Sequence, residues 1–599
     1  MGSSADMGPR EAGCDGERAW LAELARTLGE RAEELLERTW PNGLVVRLLY
    51  RPEGRWQREG IPGAPPWIRG ARAAGSAPDG WEVRTVLRPE AGGAELDALV
   101  EEEAGGGAQA LWVVPGGEVD EETVLRVMRA ASRCGVRVVW ACHRHAPQLA
   151  DLLAGEAACA GRAELAFDPF TPALLPEASA GLPWEEARAL LLRHGKGPVS
   201  RLIAASGAGC YELGAVESTE LAVAIAAFIA WLRLGREIGM EGERIAAVTV
   251  LELALDSDIF ATAAKLRAAR RLWATVTEAV GAGAIPPAVH ARGGLRAFSR
   301  LDPWTNALRA TLQAVGGALG GADALTLWPY DVLSGPSPRG RRLARHIHHV
   351  LKLEGHLHRV VDPAAGSGYL ADLTDQIARK AWSRVQAIER AGGLARAIEL
   401  GMVQGWLDEE WQARSERLAH RREILVGVNG FVQLNEREPE EIAMPVIGRR
   451  LAEPFERFQL LGLAYRARSG RRPRALACCL GAPRDVIGRL DTARQLLTAG
   501  GFELVESGPL SGPEEAVRRW RQEAADRVVL VASDAGYRRW GEAVARALRE
   551  AGCAHLDLVA GSEDWPEGVP HFPVDELLYE GMPLLGLYVR LYLALGVEG

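Results

Sequence analysis

Short apolar runs alternate with amphipathic helical stretches between about residues 100 and 365. Most of these runs are continuously apolar, as is typical of parallel strands that are covered on both faces. Eight such strands with helices between them predict a (β/α)8 barrel. The predicted strands are Ala110–Pro115, Arg137–Cys142, Ala163–Asp168, Arg201–Ser206, Ala246–Leu251, Ala288–Arg292, Ala324–Trp328 and Arg359–Val361.

The segment before the barrel has its own pattern. Residues Trp20 to Glu37 predict an amphipathic helix, Leu44 to Tyr50 predict a strand, and the Gly/Pro-rich stretch Pro62 to Gly70 should lack regular structure. An apolar helix face outside a barrel must be buried on something, and the barrel flank and a partner subunit are equally compatible with the pattern. That face consists of Leu21, Leu24, Leu28 and Leu35.

After Gly366 the pattern becomes helical, from Tyr369 through Arg421, and a charged linker follows from Glu436 to Arg474. Strands then alternate with helices again, which predicts a flavodoxin-like doubly wound domain. The predicted strands are Arg474–Leu480, Phe502–Ser507, Arg527–Ser533, His555–Val559 and His571–Val574. The predicted divisions are an N-terminal arm for subunit contact (1–85), the barrel (86–366), a helical extension with linker (367–472) and the last domain (473–599).

Composition changes this picture little. A chain of 599 residues predicts several domains. The net charge of −9 argues against a nucleic-acid partner. The longest apolar run, Leu221 to Leu232, is too short to span a bilayer and is interpreted as a buried helix. The start of the chain lacks the pattern of a secretory signal, so a cytoplasmic protein without a membrane partner is expected.

Two segments contain histidines that are candidate metal ligands. His346 and His349 could share a helix face, but no cysteine or carboxylate completes a ligand set. The segment Cys142-His143-Arg144-His145 follows a barrel strand but lacks a further ligand nearby in sequence. Neither is predicted to bind metal. The remaining histidines of the first cluster are His348, His356 and His358.

Four segments, in order, resemble the methylmalonyl-CoA mutases: Lys265–Trp273, Asn306–Ala314, Asp362–Tyr369 and Val426–Asn429. Two more resemble the small (β) subunit of the heterodimeric enzymes, namely Trp328-Pro329-Tyr330-Asp331 and Ala532–Tyr537. The resemblance implies a barrel followed by a cobalamin-binding-type domain.

Residues that the catalytic family members need are replaced here. Where they carry a Tyr-His pair that holds the substrate thioester, this chain has Ala208 and Gly209. Where their Asp-x-His-x-x-Gly loop ligates cobalt, this chain has Pro483 and Asp485, and only Gly488 remains. Neither a side-chain donor for the carbonyl nor an imidazole with its carboxylate partner is left. The predicted sets of catalytic, cofactor-binding and metal residues in this chain are therefore empty.

The resemblance thus implies a non-catalytic small subunit that partners a large catalytic subunit. Adenosylcobalamin and the acyl-CoA substrate are expected on that large subunit. Two alternatives stay open: a catalytically active acyl-CoA mutase chain, and a stand-alone acyl-CoA-binding scaffold protein.

Overall fold

The protein is described from a computed structural model. The structure describes residues 9–29, 36–50, 59–74, 79–89, 93–115, 120–156, 161–175, 183–197, 199–434 and 448–597. Leu35 and the segment 435–447 of the predicted linker lie outside these ranges.

Eight parallel strands close into a barrel, as predicted. The barrel closes where the last strand pairs with the first, with Ala324 opposite Glu82 and Thr326 opposite Arg84. The barrel strands are β3 (Glu82–Leu87), β4 (Ala110–Val113), β5 (Arg137–Cys142), β6 (Ala163–Phe167), β7 (Ile203–Ser206), β8 (Thr249–Leu255), β9 (Ala288–Gly293) and β10 (Ala324–Thr326).

One barrel strand was not predicted, and one predicted segment does not form a strand. The first barrel strand, Glu82–Leu87, was not predicted because its alternating charged residues interrupt the apolar run, and it spans the boundary placed between residues 85 and 86. The segment Arg359–Val361 forms turns instead of a strand, and Val360 is 59% exposed. The predicted strand Ala246–Leu251 was placed too early in the chain, because Gly242–Val248 is helical and the strand begins at Thr249.

Helices cover the outside of the barrel, and the core lies between them and the strands. The long apolar helix Glu217–Glu237 is the one described helix long and apolar enough to cross a membrane. Its most apolar window is 83% buried inside the protein, which confirms the buried-helix prediction. The helices of this region are Gly93–Gly105, Glu121–Cys134, Ala146–Gly155, Phe170–Ala173, Trp184–His194, Ala208–Leu213, Glu217–Glu237, Gly242–Val248, Ile259–Ala279, Pro303–Leu319 and Pro338–His349.

The N-terminal arm begins with a helix, Pro9–Leu28, followed by the antiparallel strands β1 (Glu37–Thr39) and β2 (Val45–Arg47). The predicted helix bounds, Trp20 to Glu37, were therefore wrong. The observed helix begins at Pro9 and ends at Leu28, and Glu37 belongs to β1. Residues 62–70 form turns, as predicted, and bury Trp67 against the barrel. By contrast, none of the described side chains of the first helix is buried.

The helical extension comprises Gly368–Arg390, Leu394–Glu399 and Met402–Ala419. Part of the predicted linker forms another helix, Glu453–Ser469, which packs with Phe455 and Phe458 in the core of the last domain. The linker prediction was therefore wrong for these residues, because an apolar stripe is interleaved with their charges.

The last domain is a five-stranded parallel sheet in the order β12-β11-β13-β14-β15, consistent with a flavodoxin-like fold. Its strands are β11 (Arg474–Cys479), β12 (Glu503–Pro509), β13 (Arg527–Val531), β14 (Leu556–Val559) and β15 (Glu576–Leu578). The last strand lies after the predicted His571–Val574. The helices are Pro483–Ala499, Pro513–Glu523, Asp534–Gly536, Glu542–Glu550 and Leu584–Ala594.

Candidate functional site

The centre of the barrel is filled by side chains. Alternate residues of a barrel strand face inward, and one separate buried cluster joins Trp112, Val139, Ala166, Ala204 and Val250. The Trp112 side chain is 4% exposed, and its ring centroid lies 4.6 Å from that of His290. The indole of Trp112 and the imidazole of His290, tilted by 53° to each other, therefore lie in the space through which an axial ligand would have to pass.

A polar layer lies beside this pair. Glu252 accepts hydrogen bonds from Arg292 Nε (3.0 Å) and Ser206 Oγ (3.2 Å), and His290 Nε2 lies 2.8 Å from Thr326 Oγ1. Burial raises the pKa of Glu252, but Arg292 and His290 outweigh it and lower that pKa to about 2. Burial lowers the pKa of His290 to about 4, so its imidazole is neutral at neutral pH.

The two replaced substrate positions lie at the carboxyl end of β7, where active-site residues of such barrels gather. Ala208 and Gly209 begin the short helix Ala208–Leu213 and are both buried. A Cβ atom on Gly209 would lie 2.2 Å from Thr171 Cγ2. Position 209 thus has room only for glycine, and neither position presents a donor to a carbonyl.

The same end of the barrel holds a buried network around Asp256. The Tyr211 hydroxyl donates to Asp256 Oδ2 at 2.8 Å, and Arg296 Nη2 donates to the same oxygen at 3.1 Å. Arg414, from the helical extension, lies 3.6 Å from it. Burial raises the pKa of Asp256, but Arg414 and Arg296 overcome this and hold it well below the usual range. The carboxylate is therefore charged and matched by the protein's own cations.

The chain segment before the helix Glu453–Ser469 crosses over this network. The Arg449 amide donates to the Glu212 carbonyl at 3.0 Å, and the Leu451 amide donates to the Arg296 carbonyl at 2.9 Å. Gly448 lies so close to Glu212 that an added Cβ would meet its carbonyl oxygen at 2.3 Å. The segment 448–451 thus packs over Glu212 and Arg296, and a cavity of about 780 Å³ beside it is lined by Asp256, Arg296 and Arg414.

The family-like motif residues stabilise the fold. The Arg267 guanidinium binds Glu59 and Asp362, each at 2.6 Å, and so ties the arm and the segment after the barrel to one helix. Asn306 Nδ2 donates to the carbonyls of Ser299 (2.7 Å) and Tyr330 (3.0 Å). These contacts give the motif residues a structural role in this chain.

In the last domain, the replaced cobalt-loop positions lie at the surface. Pro483 opens the helix Pro483–Ala499, and the Asp485 side chain is 47% exposed, 3.5 Å from Arg484 Nε. A Cβ on Gly488 would have no heavy atom within 4 Å. The Asp485 carboxylate therefore faces solvent, and its ion-pair partner is the adjacent residue Arg484.

Arg489 bridges the crevice beside this helical turn. Arg489 donates from Nη1 to the Ala532 carbonyl (2.5 Å) and from Nη2 to Asp534 Oδ1 (2.6 Å), which joins the helix after β11 to the loop after β13. Below it, Val486 and Leu490 of the same helix are packed into the sheet core. The exposed first turn of this helix, the absent imidazole and this bridge do not fit a cobalamin bound in this domain.

The histidine segments do not assemble a metal site. His348 is buried and accepts a hydrogen bond from Trp81 Nε1 at 3.0 Å, and His349 Nε2 lies 3.0 Å from the Gly106 carbonyl. His143 Nδ1 lies 2.7 Å from the Asp168 carbonyl. Within the part of the chain that the structure describes, no three His, Cys, Asp or Glu side chains could hold a metal ion together.

Sequence reasoning missed the barrel filling. The signal was present, because Trp112 lies at the centre of a predicted strand and alternation from Ala110 places it on the inward face. The partners Glu252 and His290 could not be paired with it, since they come from strands more than 130 residues away in the chain.

Comparisons with known proteins agree with the motif evidence. The family model described as methylmalonyl-CoA mutase matches residues 193–457. A probable methylmalonyl-CoA mutase small subunit from Mycobacterium bovis is 33% identical over 92% of this chain and 91% of that protein. The small subunits of Streptomyces virginiae (33%, over 92% and 91%) and Propionibacterium freudenreichii subsp. shermanii (27%, over 91% and 87%) are also similar. The chain therefore belongs to the methylmalonyl-CoA mutase family.

Proposed function

We propose that this chain is the small, non-catalytic subunit of a heterodimeric methylmalonyl-CoA mutase. In this role it supports the interconversion of methylmalonyl-CoA and succinyl-CoA by a large subunit that carries the substrate and adenosylcobalamin. The complex is proposed to be cytoplasmic. The single observation that carries the proposal is the packing of Trp112 against His290 inside the barrel.

The barrel argues against a bound thioester at three levels. The Trp112 pair fills the axis, Ala208 and Gly209 supply no donor, and the Asp256 carboxylate at the carboxyl end is already bound by Tyr211 and Arg296. Catalysis requires donors placed where charge develops in the transition state. No described side chain at positions 208 and 209 meets that requirement.

The last domain supports the same assignment. Adenosylcobalamin supplies the radical chemistry, and a protein must supply a ligand, orientation and a dry site. Pro483 and the exposed Asp485 supply none of these. The cofactor is accordingly assigned to the large subunit.

The N-terminal helix supports a partner. Leu21 is 36% exposed, and Leu24 and Leu28 are partly exposed. None of these three leucines belongs to the core cluster of the barrel. This favours burial against the large subunit, since obligate interfaces are rich in apolar contacts.

Two other functions compete with this proposal. A catalytically active mutase chain requires an axis open to a CoA ester, which Trp112 opposes. A stand-alone acyl-CoA-binding scaffold requires the same opening and no partner, whereas the related small subunits are named as one part of an enzyme.

The test is co-expression with a large subunit that contains an intact Asp-x-His-x-x-Gly loop. We expect the two chains to co-purify, with one cobalamin per heterodimer by absorption spectroscopy and turnover only in the complex. The isolated chain should show neither cobalamin binding nor turnover. Turnover by the isolated chain would support the active-mutase reading, and acyl-CoA binding without co-purification would support the scaffold.

A further inference from the structure

An apolar stripe lies exposed on the outer barrel helix Pro303–Leu319. Trp304, Leu308 and Leu312 follow one another at every fourth position and are 55%, 66% and 39% exposed. Residues at this spacing lie on one face of a helix. Single exposed apolar side chains are normal on a protein surface, but a contiguous apolar face marks an interaction site.

The neighbouring helix, Pro338–His349, adds positive charge beside this stripe. The two helices pack side by side, and the Arg339 guanidinium lies over the Trp304 ring, 5.1 Å from its centroid. Arg342 is one helical turn further along and is exposed like Arg339. Among the described residues, neither of these two arginines forms an ion pair.

The two helices carry no acidic residue that could balance these charges, since their sequences contain neither Asp nor Glu. The acids just before them are engaged locally. Asp302 accepts from the Thr305 amide at 3.3 Å, and Asp331 accepts from the Ser337 amide at 3.1 Å. We call the apolar stripe and its two cations the Trp304 surface, which consists of Trp304, Leu308, Leu312, Arg339 and Arg342.

The charge of the Trp304 surface selects its occupant. An isologous contact with a second copy would place this basic patch against itself, which like-charge repulsion disfavours. An anionic membrane is opposed by the net charge of −9 on the whole chain. The complement is therefore a different protein that presents an apolar face bordered by carboxylates.

The area that a heterodimer needs points to the large subunit as that protein. The arm helix Pro9–Leu28 has 20 residues. A helix of this length is about 30 Å long and presents a face on the order of 300 Å². An obligate interface buries about 1,000 Å² or more on each partner. The arm helix alone is too small, so the large subunit requires a further surface on this chain.

The Trp304 surface lies close to the flank that the arm covers. Strand β2 of the arm packs on the helix Gly368–Arg390, which in turn packs on the barrel helix Ile259–Ala279. That barrel helix also packs against Pro303–Leu319. The exposed stripe is therefore one helix away from the covered flank, where a partner that binds the arm can reach it.

We infer that the Trp304 surface is a second docking site for the large subunit, which meets it with an apolar face edged by acidic residues. The inference rests on the proposed heterodimer and adds a contact that the arm helix does not make. It also gives a role to exposed apolar side chains that do not contribute to the barrel core.

The test is the dissociation constant of the co-expressed complex, measured by sedimentation of a dilution series. Leu308→Glu replaces an apolar anchor with a charge that acidic partner residues repel, and we expect at least tenfold weaker association. The matched control is Leu192→Glu, which makes the same change at a residue 59% exposed on the outer helix Trp184–His194. The control should bind like the wild type, and both variants should keep its melting temperature.

A charge variant tests the cations separately. Arg339→Glu with Arg342→Glu should also weaken the complex at least tenfold at low salt. The difference from the wild type should shrink as salt is added, because exposed charges are screened. An affinity equal to that of the wild type at low salt would overturn the charge complementarity on which the inference depends.

The remaining outcomes separate this inference from the proposed function. A wild-type complex that Leu308→Glu leaves as tight as Leu192→Glu does would overturn the Trp304 surface alone. Absence of any wild-type complex would overturn the proposed function and the inference with it. A dimer of the isolated chain that Leu308→Glu dissociates would assign the surface to a second copy. Flotation with phosphatidylserine vesicles that the charge variant abolishes would assign it to a membrane, and either result would overturn the inference.

Discussion

Lys265 Nζ and Glu220 Oε2 lie 2.5 Å apart with side chains 1% and 0% exposed, so two full charges are paired inside the packed wall of the barrel. Lys265 also donates to the Ala254 carbonyl at 2.8 Å, and the Ala254 amide donates to Glu220 at 2.6 Å. The pair thus locks the helices that carry both residues onto the end of β8.

Removing one partner should be strongly destabilising. Lys265→Met leaves the Glu220 carboxylate buried without its cation, and we expect a loss of about 3–5 kcal/mol in unfolding free energy. The double variant Lys265→Met/Glu220→Gln should recover part of that loss, because no net charge is left buried. Calorimetric unfolding of the barrel transition measures both. A loss below about 1 kcal/mol in the single variant would contradict the role given to this pair.

The filling of the barrel can be tested by truncation. Trp112→Ala should lower the unfolding free energy by about 3–5 kcal/mol, since the indole is buried among side chains that cannot fully collapse. Trp304→Ala is the matched control, because that side chain is 55% exposed, and it should cost less than about 1 kcal/mol. Equal effects of the two truncations would mean that the barrel centre is not packed around Trp112.

Stability should fall in acid through Glu252. Its pKa is lowered to about 2 in the folded protein, so its contribution is complete above its ordinary pKa, near 4.5, and is lost as the pH falls toward 2. The contribution is on the order of 3 kcal/mol. Unfolding free energies measured between pH 6 and pH 3 should therefore decline, and Glu252→Gln should be less stable at pH 6 with a flatter profile. An unchanged slope in the variant would exclude Glu252 as a cause.

Rebuilding the cobalt ligand should not create an enzyme. Pro483→Asp with Asp485→His introduces a histidine and a carboxylate in the exposed first turn of a helix, but the Arg489 bridge still spans the adjacent crevice. We expect weak cobalamin binding at most and no succinyl-CoA from this variant alone. Equilibrium dialysis and a turnover assay check both points. Detectable turnover would show that the barrel retains a substrate site, and the non-catalytic assignment would fail.

The arm helix should be needed for assembly but not for folding. Leu21→Asp with Leu24→Asp places charges on the half-exposed apolar face, and we expect at least tenfold less co-purified large subunit with an unchanged melting temperature. Glu23→Ala on the same helix is the control, because its side chain is 59% exposed and forms only a local pair with Arg26. Undiminished co-purification of the leucine variant would assign the interface to another surface.

A strand could be predicted from the sequence where its residues form a continuous apolar run. Strand β5, Arg137–Cys142, was predicted to the residue. Strand β3 was missed because Glu82 and Arg84, whose side chains form an ion pair at 2.6 Å, interrupt its apolar residues. Arg359–Val361 was apolar enough to mislead, although nothing pairs with it among the residues described.

The replaced site positions were found from sequence because they interrupt recognisable motifs. What surrounds them was not found, because the Asp256 network joins groups from distant parts of the chain, Tyr211 and Arg414 among them. The closed barrel brings these distant residues together, so no local sequence pattern predicts the network.

The close approach of Thr171 to Gly209 couples these two positions. A histidine introduced at position 209 would collide with Thr171, since even its first side-chain carbon would lie 2.2 Å from Thr171 Cγ2. A side-chain donor can therefore be introduced at position 209 only together with a smaller residue at position 171, so any attempt to build a substrate site here has to change both residues at once.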